Sequence, residues 1–232
     1  MSSELRAVLE IGPNGKKVVA VAPDWPGLSR GAKTGETALE RLVSYLPRYA
    51  PVAKLAGMSD AFSPTANVKV VEEYPGVGST DFWGISFAFS SIDHQPMSSE
   101  ELEREITLMR ACWVYFDEVR SRVSAEMQKG PKGGGRDRDQ IVRHTIWAEY
   151  DMARKVGIPK PETVVVDDEG LSAYRDAYCA AIREYHAQGK MARKWPLRYL
   201  IRHTAFHTMD HTWEMEDKDL TGDQAEESTA LK

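Results

Sequence analysis

The 232-residue chain is poor in several things, and each shortage narrows its role. It has only two cysteines, Cys112 and Cys179, each inside a helical-looking segment, which excludes a disulfide framework and fits reduced thiols in a packed interior. No apolar run approaches the roughly 20 residues needed to cross a bilayer, and the opening MSSELRAVLEIG lacks the basic-then-apolar order of a secretory signal. The expectation is a cytoplasmic protein without a membrane role. There is no excess of positive charge: 30 Lys and Arg stand against 35 Asp and Glu, a formal net charge of -5, which argues against nucleic acid as a partner. What remains is the composition of an ordinary globular protein, 42% hydrophobic and 28% charged, long enough for one large domain or two small ones.

The two halves follow different patterns. Residues 5 to 23 read as two β-branched runs about the turn Gly12-Pro13-Asn14-Gly15, a hairpin signal. After the loop DWPGLSRGAKTG, Thr34 can cap a helix whose apolar positions run from Ala38 to Val52, bent or ended by Pro47 and Pro51. NVKVVEE, from Asn67, reads as a further strand, so residues 1–80 form a small α+β unit of order β-β-α-β. A Gly-, Ser- and Phe-rich junction, 81–97, follows.

Strand signals then almost vanish. Ser98 and Glu101 form a capping box, after which Leu102, Ile106, Met109, Trp113, Phe116, Val123 and Met127 recur at three- and four-residue steps. GPKGGGRD breaks the pattern. A second helix spans about Asp139 to Val156 and ends at Gly157, a third runs from Glu169 to Gln188, and a fourth starts at Trp195-Pro196 and reaches Asp217. Four helices over 98–217 predict an all-α up-down bundle, and 218–232 has the composition of a disordered tail. Trp113, Tyr115 and Trp147 suit either that core or a homodimer contact.

The last helix holds HTAFHTMDHTWEMED, residues 203–217. Four-residue spacing turns successive side chains by only about 40°, so His203, His207 and His211 form a stripe. His207 and His211 continue the buried seam and His203 sits at its edge. On the second helix His144 can also face inward. One imidazole from one helix and two from another make three nitrogen ligands, the number in a catalytic metal site that keeps a position open. The plainer alternative is a set of hydrogen-bonded core or surface histidines. HExxH is absent, since Thr208 follows His207, so a metalloprotease is disfavoured.

The motifs VRHTIWAEYDMARKVG and RHTAFHTMDHTWEMEDK resemble those of the DinB-like superfamily, metal-binding four-helix bundles that include mycothiol- and bacillithiol-dependent transferases. The resemblance covers about residues 98–217. It implies that His144, His207 and His211 bind a divalent metal, zinc or nickel, and that a low-molecular-weight thiol attacks an electrophilic small molecule there, in a thiol S-transferase or a related metal-dependent isomerase or hydrolase. The segment VVAVAPDWPGLSRGAKTGETALERL is similar to the HicB-like fold, which implies a packing or partner-contact role for the amino-terminal unit. Glu149 and Asp151 are the candidate acid-base groups, with Asp210 and Glu214 behind them; for each the default is a solvated helix face. A non-catalytic metal-stabilised binding or regulatory protein is the alternative expectation.

Overall fold

A computed structural model describes residues 4–131, 133–164 and 167–222. Strands β1 (Glu4–Ile11) and β2 (Val18–Val21) form the expected hairpin, closed by Gly15 at φ 63°, where a left-handed turn suits glycine. The segment read as a loop contains a third strand, β3 (Ser29–Ala32), paired antiparallel with β2. β4 (Asn67–Pro75) runs parallel to β1, with a bulge between Ala7 and Val8, and the sheet order is β3-β2-β1-β4. The expected β-β-α-β order is therefore corrected to three strands, two helices and a strand. β3 escapes sequence reading because SRGA has no β-branched or aromatic residue to mark it. Gly31 is needed there: a Cβ would lie 2.0 Å from the carbonyl oxygen of Gly84.

The single helix expected after Thr34 is two, α1 (Gly35–Ser44) and α2 (Leu46–Leu55), which meet at Tyr45. Thr34 caps α1 by accepting the amide of Thr37, and Pro47 falls in the first turn of α2, where a missing N–H costs nothing. The junction folds into α3 (Gly78–Trp83) and a 3₁₀ turn at Ile92–His94.

Four long helices follow: α4 (Ser99–Arg122), α5 (Arg138–Ala153), α6 (Asp168–Ala187) and α7 (Leu197–Asp217). Ser98 and Glu101 cap α4 reciprocally, as expected. The helix stops at Arg122, short of Met127. Val123 turns extended, and Met127 is buried instead through a bridge to Asp219. α5 ends through a 3₁₀ turn at Gly157, whose φ of 86° a side chain would strain. Residues 223–232, most of the expected tail, lie outside the described residues.

α7 packs along α4 and α5, and α2 lies against α4. One continuous core joins Leu5 and Leu9 of the sheet, Leu42 and Tyr49 of the first helices, Met109 and Phe116 of α4, Ile146 of α5 and Trp213 of α7. A second, smaller cluster joins Val8, Val19, Val21 and Tyr74 of the sheet to Ile92 of the junction. Among the described residues no helix is long and apolar enough to cross a membrane.

α7 is buried almost all round, although a third of it is His, Thr or Arg. Its threonines satisfy themselves: the hydroxyls of Thr204, Thr208 and Thr212 donate to the carbonyls of Leu200, Thr204 and Thr208 at 2.8, 3.0 and 2.8 Å. Of its two arginines, the more deeply buried is satisfied across the fold. Arg202 donates to both oxygens of Asp93, at 3.2 and 2.8 Å, and to the hydroxyl of Ser86 at 3.1 Å, while Ser86 donates to buried Glu10 of β1 at 2.6 Å. Tyr74, Thr80 and the amide of Phe87 also donate to Glu10, so a buried polar network fastens sheet, junction and α7 together.

Candidate metal centre

Helical pitch places His207 and His211 one turn apart on α7, and the packing of α5 against α7 brings His144 opposite them. The three rings lie 4.6 to 5.3 Å apart between centroids, and one ligand atom from each lies within 4.8 Å of the others. This is the trio picked out in the sequence. Its depth is graded: His211 is buried, His207 is half-buried and His144 is exposed, so the cluster meets solvent along the α5 edge.

His211 has a fixed orientation. Its Nδ1 lies 2.7 Å from Oε2 of Glu214, so that nitrogen carries a proton and Nε2 is the one not engaged by the carboxylate. Glu214 is held in turn by Arg136 at 2.7 Å and Lys218 at 2.7 Å. Burial raises the Glu214 carboxyl, but the bonds from His211 and Lys218 outweigh it and bring the pKa down to about 2. Burial, with His211 and Arg136 nearby, lowers the pKa of His144. Burial together with the neighbouring imidazoles and Arg136 holds His207 well below the usual range. Both rings are therefore neutral near pH 7, the form a metal needs.

The remaining candidates sit elsewhere. Glu149 is five residues beyond His144, turned about 140° away. It is buried against Arg175, whose Nε lies 3.2 Å from Oε1, and burial raises its pKa. Asp151 is two turns along and paired with Lys160 at 2.8 Å. The structure brings neither into the histidine cluster. Asp210 points to Arg30 of β3, 2.7 Å away. Glu214, ranked last with Asp210 in the sequence, is the carboxylate that touches one of the three histidines. Its i,i+3 relation to His211 was the available signal. Arg136 was missed, because it follows a glycine run with no periodic pattern.

His203 is not the edge residue expected. It is 7% exposed, stacked on Tyr199 with centroids 5.2 Å apart and flanked by Trp195 at 5.3 Å, and burial with Arg202 and Lys155 lowers its pKa to about 3. Phe82 and Trp83 of the junction pack on each other at 72% and 64% exposure. Trp113 and Tyr115 are buried within the chain, whereas Trp147 is 40% exposed. Both cysteines are free and buried, and burial pushes the Cys112 thiol well up, which removes it as a nucleophile. A cleft of about 750 Å³ between α4 and α5, lined by Val114, Glu118, Val142 and Arg143, includes none of the three histidines.

Comparisons of the chain with protein-family models, with curated proteins and with solved structures give no match.

Proposed function

We propose that the protein is a divalent-metal-binding member of the DinB-like superfamily, with α4 to α7 as its four-helix bundle and β1 to β4 as a HicB-like unit. It acts as a thiol S-transferase, joining a low-molecular-weight thiol to an electrophilic small molecule. The observation that carries this reading is the convergence of His144, His207 and His211, two of them held neutral, at the open edge of two packed helices. All three donors are imidazole nitrogens, which suit zinc or nickel.

An ion held there supplies one chemistry above others: it lowers the pKa of a thiol so that thiolate prevails near pH 7. The chain's own residues set the conditions. Glu214 fixes the tautomer of His211 and leaves Nε2 facing the cluster. Arg136 and Lys218 keep Glu214 ionised and in place. The exposed position of His144 leaves an approach for small molecules. Among the described residues no cysteine or carboxylate joins the three histidines as a fourth ligand, which favours the enzyme over a purely structural ion.

The test is elemental analysis of the purified protein after zinc or nickel loading, beside a His144→Ala, His207→Ala variant, followed by a screen of thiols against electrophiles. About one ion per chain, lost in the variant, with thiol-dependent turnover by the loaded protein, is the expected result. An ion without turnover leaves the binding or regulatory protein, and retention of the ion in the variant overturns the ligand set.

A further inference from the structure

A second cleft, of about 360 Å³, opens at the amino end of α7, more than two helical turns from His207. It falls within the size range of small-ligand sites. Met97, Met191, Pro96 and Leu197 give it an apolar wall. The charged and polar side chains that line the same cleft, His94, His186, Lys190 and Arg198, are chiefly hydrogen-bond donors.

The one carboxylate in the lining, Asp93, is already engaged with the protein. Its oxygens are taken by Arg202 and by the amide and hydroxyl of Ser90. Arg198 is anchored rather than free, through Glu105 and, at 3.7 Å, Glu101, so its guanidinium is set in place at the cleft. Its Nε has no partner. His186 gives its Nε2 proton to the carbonyl of Met97 at 2.8 Å, which holds the ring beside that residue. The first turn of α7, capped by Pro196 with no side-chain acceptor, adds the partial positive charge of a helix amino terminus.

From this lining of apolar side chains together with cationic and donor groups, its one carboxylate already engaged, we infer that the cleft binds a small amphipathic anion, a carboxylate on a short apolar body. The carboxylate lies toward Lys190 and Arg198, and the body lies along Met97, Met191 and Leu197. This site is independent of the histidine cluster, and needs no metal.

The experiment uses the full chain, metal-free, with hexanoate as the probe and hexylamine and inorganic phosphate as comparators, followed by amide chemical shifts in solution. Hexanoate is expected to saturate and to shift the amides of Leu197, Arg198 and Met191. The Lys190→Ala, His186→Gln variant is expected to bind it at least about fivefold more weakly, with unchanged far-ultraviolet circular dichroism. Each side chain lies at the surface or half-buried, and Lys190→Ala alone serves if the pair perturbs the fold. Absence of saturable shifts at these amides, equal binding of hexylamine, or unchanged affinity in the variants would overturn the proposal. Phosphate binding as well as hexanoate would remove the apolar half of the site.

Discussion

Glu214 accepts a hydrogen bond from Nδ1 of His211 at 2.7 Å, and is itself held by two cations. A ligand histidine oriented this way presents its other nitrogen without losing entropy on binding. Glu214→Gln keeps the shape but weakens the acceptor. It is expected to lower zinc or nickel affinity by about 10- to 100-fold, read by competition with a chromogenic chelator, while helix content stays the same.

His203 gives a pH dependence. Its ordinary pKa of 6.5 falls to about 3 in the folded chain, so the unfolded chain takes up a proton that the folded chain refuses. Stability therefore falls as pH drops from about 6.5 toward about 3, by up to about 1.4 kcal/mol per pH unit for this one proton. His144 and His207, lowered in the same direction, add to the slope. In His203→Gln the urea midpoint of the metal-free protein is expected to fall less between about pH 6.5 and pH 5 than in the wild type. An identical fall would show that His203 titrates normally.

The buried pair of Asp93 and Arg202 predicts a large effect. Asp93→Ala removes the carboxylate partner of the buried Arg202 guanidinium and leaves it the hydroxyl of Ser86 and the ring of Tyr199, and is expected to cost about 3–5 kcal/mol in chemical denaturation. Asp24→Ala, which removes the surface partner of Arg6, is expected to cost at most about 1 kcal/mol.

Gly31→Ala tests the junction. The new Cβ would lie 2.0 Å from the oxygen and 2.9 Å from the carbon of the Gly84 carbonyl, and both are backbone atoms that cannot rotate aside. A cost of about 1–3 kcal/mol is expected, with a fall in Tm of about 2–4 °C per kcal/mol. Gly78→Ala, where a Cβ meets nothing within 4 Å, is the control.

What was legible in the sequence was local. Thr34, the Ser98–Glu101 box, Gly157 and Gly189 mark helix ends with side chains or conformations that act within one turn, and the elements begin and end close to them. The histidine trio was legible because two members share a helical face and the third needs only an adjacent helix. β3 was not, since SRGA is held by pairing with β2 and by the approach of Gly84, neither of which leaves a periodic trace. The burial of Glu10, Asp93 and Arg202 was equally invisible: partners 76 to 116 residues apart in sequence become mutual only once the sheet sits on α7. Glu149 looked eligible by nearness to His144 along the chain, and the turn of the helix sends it to Arg175 instead.

The threonine hydroxyls of α7 close on their own helix and ask nothing of water, and the faces around them are packed on every side. Amides along this helix should then be among the slowest in the molecule to exchange with deuterium, opening only when the whole fold opens. Two of the three histidines ride on that slow element, whereas His144 sits on an exposed stretch of α5. An arriving ion would meet a pair on α7 whose spacing is already fixed, and would add only His144 from the neighbouring helix.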